Sequence, residues 1–333
     1  MTARKKLHAD EITTDATLVR QLLAAQFPQW AELPIEPVAS AGTENAIYRL
    51  GEDMAVRLPY RPVRNTQVEK LDRWLPVLAP QLPLPIPEPL AKGDPAEGYP
   101  CAWSICRWLD GEEAAFERLE DPVEAARTLA GFVRALLAID PTGGPPPGEH
   151  NFWRGVPLAH RDSITRRCIA ESEGLIDIEA VTAAWETDLH APVWNQPHVW
   201  IHGDIDPGNL LVVDGRLSAV IDWGGLAVGD PCYELQPAWN LFRGESRDAY
   251  RKALAFDDAT WRRGRGFVLS TAIVALPYYL NPNPVIVKMA RHMIDEVLAD
   301  HGCIARLRRA MQKLRFCSLV DSCAGTPFQA RFA

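Results

Sequence analysis

Apolar residues in the first part of the chain follow two different spacings. From about Thr14 to Phe27 they recur at helical intervals, which predicts an amphipathic helix. Three short runs rich in β-branched and aromatic residues follow at 35–40, 46–50 and 54–59, separated by turn residues. The beginning of the chain therefore predicts a helix and three short antiparallel strands.

The rest of the chain is predicted to be mostly helical. We expect a helix over 65–80, a Pro-rich extended segment over 83–100 and a buried strand over 102–106. A further helix has a complete start signal, since Asp121 can cap it and Pro122 occupies its first position. Later helical patterns lie at 164–194, as two helices, and at 237–242, 247–256, 260–280 and 284–302. This order predicts an α+β fold with a small antiparallel sheet and a larger helical part.

The stretch 197–231 is different, because polar residues interrupt its apolar strand patterns. Apolar runs at 198–203, 210–213 and 217–223 predict three strands. An Asp-Gly dipeptide at 214–215 is a strong two-residue turn signal between the last two of them. We therefore expect a tight hairpin that follows one strand and one turn.

The hairpin predicts which polar side chains lie together. A two-residue turn places Asn209 opposite Val220, so Asn209 and Asp222 share one face of the sheet. The Pro-Gly turn at 207–208 folds Asp204 back toward them. Buried carboxylates are costly unless they are paired or bind metal, and oxygen ligands of this kind suit Mg²⁺. The set predicts phosphoryl transfer, with Asp204 as catalytic base and Asn209 and Asp222 as metal ligands.

The motifs HGDIDPGN, IDWG and GDP occur in this order within the same stretch. Together they resemble the pattern of the aminoglycoside phosphotransferase family, small-molecule antibiotic kinases with a bilobal, protein-kinase-like fold. The resemblance implies that Asp204 is the catalytic Asp, that Asn209 and Asp222 bind magnesium, and that Asp230 is structural. Asp206, inside the first motif, is interpreted as a turn residue.

The resemblance also implies a nucleotide site in the N-terminal lobe. The candidates in its phosphate-covering loop are Ser40, Gly42, Thr43 and Asn45. One glycine is few for such a loop, so an ordinary hairpin loop is the alternative. Arg57 occupies the position of the family's strand lysine and can bind phosphate through two N–H groups. Glu69 in the following helix is expected to hold Arg57, with Asp72 as the alternative.

The segment after the buried strand at 102–106 corresponds to the family's hinge, whose backbone binds the nucleotide base. We expect Arg107 and Leu109 to provide these backbone groups and Ile105 to line the adenine pocket. The alternative is that the segment is only the linker between the lobes.

Two groups of residues are candidates for binding the acceptor. The first is acidic and would pair with the amines of a cationic acceptor; it contains Asp110, Glu112, Glu113 and Glu234. The second is aromatic and could stack on a sugar or a base; it contains Trp239, Tyr278 and Tyr279. Turn and cap roles for the acidic residues, and core roles for the aromatic ones, are the alternatives.

The composition indicates which kinds of partner the protein can bind and in which compartment we expect it. The 333 residues carry a net charge of −8, which argues against nucleic acid or an anionic membrane as a partner. The apolar runs are too short for a transmembrane helix, and the first residues do not resemble a secretory signal. Seven scattered cysteines favour reduced thiols and a cytoplasmic location. We expect a monomer or a weak homodimer.

The sequence thus predicts an enzyme that transfers the γ-phosphoryl group of ATP (or GTP), with Mg²⁺, to a hydroxyl group of a small molecule such as an antibiotic. The alternatives are a metabolic kinase of choline or sugar type, a nucleotide-binding protein without transfer activity and, last, a metal-dependent phosphohydrolase. Expected boundaries are 1–108 for the nucleotide-binding lobe and hinge, 109–302 for the catalytic and substrate lobe, and 303–333 for an appended helix and tail.

Overall fold

A computed structural model describes residues 10–38, 44–62, 65–281 and 283–302. The predictions for Ser40, Gly42, Thr43 and the segment 303–333 lie outside these residues.

The N-terminal lobe is a five-stranded antiparallel sheet with one helix on each face. The strands follow the order β1-β2-β3-β5-β4. Their bounds are β1 Ile35–Pro37, β2 Asn45–Leu50, β3 Met54–Pro59, β4 Pro89–Gly93 and β5 Trp103–Arg107, and the helices are α1 Ala16–Gln26 and α2 Asn65–Leu78. Strand β4 lies inside the Pro-rich segment that was predicted to be merely extended. It pairs with β5 through an irregularity after Pro89, because proline cannot donate a backbone hydrogen bond.

The two faces of this sheet have different partners. Val56 and Ile105 form a cross-strand pair and belong to the apolar cluster that includes Leu22 of α1. Arg57 and Ser104 are the neighbouring pair and therefore face the opposite side. Ile105 therefore packs in the core against α1, which does not fit the prediction that it lines the adenine pocket, and Cys106 and Ser104 share the face of Arg57.

The C-terminal lobe is mostly helical. Its helices are α3 Pro122–Ala138, α4 Asp162–Glu171, α5 Ile178–Leu189, α6 Pro237–Asn240, α7 Glu245–Leu254, α8 Asp258–Tyr279 and α9 at 284–302. As expected, the Asp121 side chain caps α3 by accepting from the backbone of Val123 and Glu124. Two buried ion pairs tie α8 to the rest of the lobe, Arg263 to Asp230 at 2.7 Å and Arg265 to Asp188 at 2.7 Å.

Two small sheets carry the central motifs. Their strands are β6 Glu112–Glu113, β7 Val199–Ile201, β8 Leu210–Val213, β9 Arg216–Val220 and β10 Ala227–Gly229. The order is β6-β8-β9 in one sheet and β10-β7 in the other. Asp230 accepts from the backbone of Cys232 and from Arg263, which fits the structural role expected of it.

The predicted hairpin is present, but its register is shifted by one residue. Val213 pairs with Arg216 as expected, yet Val220 lies opposite Leu210 and not opposite Asn209. A β-bulge at Ser218 causes this shift, since Val212 pairs with Leu217 while Leu211 pairs with Ala219. Asn209 itself ends a short 3₁₀ turn, Pro207–Asn209.

No helix among the described residues is long and apolar enough to cross a membrane. The four cysteines within these residues, Cys101, Cys106, Cys168 and Cys232, are buried and unpaired with one another.

Candidate active site

His202 lies buried beneath the loop at 202–209. We call this segment the catalytic loop, after the role predicted for Asp204. The backbone N–H of Asp204 donates to His202 Nδ1 at 3.2 Å, and His202 Nε2 lies 3.0 Å from the carbonyl of Ile221. Because Nδ1 accepts, the ring proton resides on Nε2 and the ring is neutral. Burial lowers the pKa of His202 to about 4, which agrees with a neutral ring. His202 therefore links the catalytic loop to the strand that leads to Asp222.

Asp204 is held by an arginine that the sequence did not indicate. Arg154 Nη2 donates to Asp204 Oδ1 at 2.8 Å. Burial raises the pKa of Asp204, and the positive charge of Arg154 opposes that rise. The side chain of Arg154 runs past two glycines, since a Cβ on Gly203 or Gly225 would lie 3.3 Å from Arg154 atoms. The loop that carries Arg154 has neither helical nor strand periodicity, so no sequence pattern pointed to it.

Asn209 joins the catalytic loop to the hairpin. Its Nδ2 donates to the carbonyl of Asp204 at 2.9 Å, and its own carbonyl accepts from the backbone of Ile221 at 2.8 Å. This bond uses Nδ2 of the Asn209 side chain and not its amide oxygen. Asp222 is close enough to Asp204 for its negative charge to contribute to the raised pKa of Asp204. Asp204, Asn209 and Asp222 thus converge as predicted, although the hairpin register differs.

Asp222 has a left-handed backbone, with φ 56° and ψ 69°. Its carboxylate accepts from Arg57 Nη2 at 3.0 Å. Burial alone would raise the pKa of Asp222, but the charge and hydrogen bond of Arg57 outweigh burial and lower it. The prediction that Glu69 or Asp72 holds Arg57 is therefore wrong for this structure, because Arg57 is held by Asp222 and Glu69 is exposed.

Helix α2 presents a different residue to the site. Lys70 is buried, and its Nζ lies within 3.1 Å of two carbonyl oxygens and of the His150 ring. Gln67, one turn earlier, is also buried. Residues three apart share a helix face, so the face of Gln67 and Lys70 turns inward and that of Glu69 turns to solvent. The predicted helix is therefore present, but its inward face carries Gln67 and Lys70 and not Glu69.

Asp206 is more than a turn residue. It caps the 3₁₀ turn by accepting from the Gly208 backbone at 2.8 Å, as expected of a turn Asp. Burial and the nearby charge of Asp204 also raise the pKa of Asp206 to about 8. Asp206 therefore belongs to the same electrostatic cluster as Asp204 and Asp222.

Glu234 does not lie at the mouth of a pocket. It is completely buried behind the catalytic loop, where Oε1 accepts from the Gly203 backbone at 2.7 Å. Burial raises its pKa to about 7. The predicted acceptor role is wrong, and Glu234 instead supports the backbone of the catalytic loop.

The aromatic acceptor candidates lie in two different environments. Trp239 is buried with its ring 5.0 Å from that of Trp261, so its core interpretation is the correct one. Tyr278 is 49% exposed and packs edge-on against Tyr279 at 4.6 Å. Burial raises the pKa of Tyr278, and the charge of Glu44 contributes to that rise. Tyr278 therefore lies near Glu44, which adjoins the predicted phosphate loop.

The acidic residues after the hinge are exposed, and two of them have protein partners. Asp110 accepts from Trp108 Nε1 at 2.8 Å, and Glu112 pairs with Arg118 at 3.2 Å. Glu113 lies in β6 beside Glu112. Their acceptor role stays a prediction.

The hinge backbone is partly used by the sheet. The N–H of Arg107 donates to Glu88 O and that of Trp108 donates to Asp53 O. An Arg107 contact with a nucleotide base would therefore use its carbonyl. The base contacts of Arg107 and Leu109, and the role of Asn45 at the start of β2, stay predictions.

The donor set fits a magnesium ion that is also bound by phosphates. A carboxylate from Asp222 and an amide oxygen from Asn209 are hard oxygen ligands. Within the described residues, no three His, Cys, Asp or Glu side chains are arranged to hold a metal. Mg²⁺ commonly takes one or two protein ligands and completes its shell with phosphate oxygens and water, so the pair fits this mode of binding.

A small antiparallel lobe and a helical lobe, with Asp204 beside the Asn209 and Asp222 pair, are the features of the class of kinase-like phosphotransferases. The model of the phosphotransferase enzyme family matches residues 35–267, which is most of the chain, so the chain belongs to that family. The resemblance drawn from the motifs and the predicted fold class are both confirmed.

The chain is similar to one curated protein and to several solved structures. Hygromycin-B 4-O-kinase from Escherichia coli is 26% identical over 160 residues, which cover 46% of this chain and 46% of that protein. The chain thus spans about half the length of this curated relative.

Solved structures match over a greater length. The GDP and kanamycin complex of APH(2″)-IIia has a TM-score of 0.68 at 19% identity, covering 85% of this chain and 99% of that one. The apoenzyme of macrolide 2′-phosphotransferase MphH from Brachybacterium faecium has a TM-score of 0.57 at 22% identity, covering 84% of this chain and 97% of that one. At such identities the likeness establishes a shared fold.

Proposed function

We propose that this chain is a small-molecule kinase. It transfers the γ-phosphoryl group of ATP or GTP to a hydroxyl group of an antibiotic, and the site binds the nucleotide with Mg²⁺. The observation that supports this most directly is the convergence of Asp204, Asn209 and Asp222 in the cleft, with Arg57 reaching Asp222 from the other lobe.

Each residue of the site has a task in this reaction. Arg57 binds phosphate oxygens with its two terminal N–H groups. Asp204 accepts a hydrogen bond from the acceptor hydroxyl, which orients the oxygen toward the γ-phosphorus. As the new O–P bond forms and the bond to the β-phosphate oxygen breaks, the hydroxyl proton passes to Asp204 and the nucleoside diphosphate leaves. Mg²⁺, held by Asn209 and Asp222, supplies charge neutralisation for the phosphate oxygens.

Arg154 adjusts Asp204 for this task. A carboxyl group in a desolvated cleft tends to be protonated and cannot then accept a proton. The Arg154 contact at 2.8 Å favours the ionised form and fixes the direction of the carboxylate. The cost is a lower basicity, which matters little if catalysis depends mainly on positioning.

We propose an acceptor that carries amines as well as hydroxyl groups. The negative charges of Asp222 and Glu44 both act on Asp204, so carboxylates lie near the point of transfer. An ammonium group loses hydration when it enters the cleft and gains a partner there. The relatives point the same way: one is a hygromycin-B kinase, and one structure contains kanamycin. Because one similar structure is a macrolide phosphotransferase, a macrolide is the second candidate acceptor.

The test is a transfer assay of the purified protein against aminoglycosides, macrolides, choline-type amino alcohols and sugars. Release of diphosphate from ATP and from GTP is measured with and without Mg²⁺. We expect Mg²⁺-dependent turnover with at least one amine-bearing antibiotic and none with Asp222→Ala. Turnover only with a neutral metabolite would overturn the acceptor class. Mg²⁺-dependent nucleotide binding without transfer to any acceptor would argue for a binding protein.

A further inference from the structure

Helix α2 reaches the C-terminal lobe through one charged side chain. Lys70 is 8% exposed, and its Nζ lies 2.9 Å from Gly224 O, 3.0 Å from Leu226 O and 3.1 Å from His150 Nδ1. An ammonium group has three N–H donors, and these three acceptors match them. All three acceptors belong to the other lobe, so Lys70 connects the two lobes across the back of the cleft.

The carbonyl groups that Lys70 binds lie directly after Asp222. The left-handed conformation of Asp222 is costly for a residue other than glycine, so the backbone that follows must be held in place. Arg57 binds the Asp222 carboxylate, and Lys70 binds the backbone two and four residues further on. Two cations of the N-terminal lobe therefore flank the same short segment.

The two contacts respond differently to a nucleotide. Under the proposed function, Arg57 would bind phosphate oxygens and the Asp222 carboxylate would serve as a metal ligand, so this ion pair would loosen when nucleotide binds. The carbonyls of Gly224 and Leu226 are not among the proposed ligands, and their bonds to Lys70 remain. Lys70 is thus the contact between α2 and this segment that is kept throughout the cycle.

Further hydrogen bonds connect the surroundings of Lys70 to Asp204, the proposed catalytic base. Gln67, one turn before Lys70, donates to the carbonyl of His150 at 3.3 Å. The next residue, Asn151, donates through Nδ2 to the carbonyls of Gly225 at 3.2 Å and Arg154 at 2.8 Å. Because Arg154 binds Asp204, the loop gripped by Lys70 is also the loop that orients the base.

We propose that Lys70 is a positioning residue that fixes the segment 222–226 against α2 and so keeps the Asp222 carboxylate directed at the nucleotide. The role of Asp222 in nucleotide binding rests on the proposed function, whereas the anchoring belongs to the unliganded chain. The alternative is a purely structural lysine, whose loss would weaken the whole fold without changing the demand for metal.

The experiment compares Lys70→Met with the parent protein and with Lys92→Met. Lys92 is exposed on β4, so its substitution removes the same charge from the same lobe. Amide hydrogen exchange is measured on the unliganded proteins. The readout is the segment containing the amides of Leu226 and Val228, which bond to the carbonyls of Trp223 and Pro145. Binding of ATP and GTP is then titrated against Mg²⁺.

We expect Lys70→Met to exchange about tenfold faster in this segment, with the rest of the C-terminal lobe unchanged, because an anchored segment opens locally. The Mg²⁺ concentration for half-maximal nucleotide binding should rise by ~10–100-fold, as when groups that orient metal ligands are removed. Lys70→Arg, which keeps the donors, should recover part of both effects. Lys92→Met should match the parent.

Unchanged exchange in the segment would overturn the proposal. So would faster exchange spread over both lobes with an unchanged Mg²⁺ requirement, since that is the pattern of a purely structural lysine. If the parent protein binds no nucleotide, the proposed function fails, while the local exchange result still decides whether Lys70 is the anchor. Should Lys70→Met not fold, Lys70→Arg alone provides the comparison.

Discussion

The two walls of the cleft hold their functional groups in different ways. On the C-terminal side, Asp204 and Asn209 lie in one loop, whose backbone is tied by neighbours in the chain and by the buried Glu234. On the N-terminal side, Arg57 and Lys70 extend from a strand and a helix and contact groups more than 150 residues away. The first wall is fixed by its own backbone and the second by contacts across the cleft. Chemistry should therefore depend on the C-terminal wall, and nucleotide affinity on the contacts between the walls.

The strongest test of this division is Asp204→Ala. Loss of the base should reduce turnover by ~10²–10⁴, while Mg²⁺-dependent nucleotide binding stays within a few-fold of the parent. Initial rates and equilibrium titration measure the two quantities on the same preparation. A variant with turnover close to that of the parent would remove Asp204 from the chemistry.

Arg154→Met tests how the C-terminal wall orients Asp204. Turnover should fall by ~10–100-fold, because Asp204 loses its orienting partner. Arg154 opposes the rise in the pKa of Asp204, so its removal raises that pKa further and moves the acid limb of the rate profile to higher pH. Arg167→Met, at an exposed position of α4, is the matched control. A pH profile that stays in place would show that Arg154 does not set the state of Asp204.

Arg57 tests the N-terminal wall. Arg57→Ala should raise KM for the nucleotide by about tenfold, because a charge-assisted contact is worth about 1.5–3 kcal/mol, and should leave KM for the acceptor nearly unchanged. Arg57→Lys keeps the charge but loses the second N–H group, and its KM should lie between those of the parent and Arg57→Ala. Arg73→Ala, exposed on α2, controls for the loss of positive charge. Equal effects on both substrates would place Arg57 outside the nucleotide site.

Glu234→Gln should have the smallest effect on turnover. Its main effect should be on how the stability of the folded protein depends on pH. Burial raises the pKa of Glu234 from 4.5 to about 7, so the folded protein binds this proton more tightly than the unfolded chain. That stabilisation is complete below about pH 4.5 and is lost as the pH rises through 7. The parent should therefore lose ~2–3 kcal/mol of stability over this range through Glu234, and Glu234→Gln should not. Thermal unfolding from pH 5 to 8 measures the difference, and parallel curves would contradict it.

Contacts between residues that are close in the sequence could be predicted better than contacts between distant residues. The functional residues of the C-terminal wall lie within one short stretch of the sequence, which contains about two turns and a hairpin. Their positions in the site could therefore be predicted from their spacing. The assignment of Asn209 survived a register error, because the carbonyl of Asn209 still pairs with the backbone of Ile221. The bulge at Ser218 carries no residue pattern that would have revealed it.

The N-terminal wall was predicted less well because its contacts cross between lobes. The partner of Arg57 lies 165 residues away in the chain, and helical spacing allowed more than one face of α2 to turn inward. Ile105 was misplaced for a related reason, since a strand pattern that is apolar on both faces does not show which face meets the nucleotide. Arg154 lies in a Pro- and Gly-rich loop, where periodicity gives no information.

The bulge at Ser218 has a consequence for how the chain can vary in length. The hairpin contains one residue more on β9 than a regular ladder needs, and Gly111 leaves room for it, since a Cβ there would lie 3.2 Å from Ser218 Oγ. Deleting Ser218 would let the ladder close in regular register and would leave Ala219 opposite Leu211 and Val220 opposite Leu210, so the later positions would stay in place. An inserted residue has no such outlet, since a shift of one residue turns side chains to the opposite face, and Asp222 is only four positions beyond Ser218. Between the hairpin turn and Asp222, the deletion of Ser218 should therefore be tolerated, whereas single-residue insertions should be eliminated by selection.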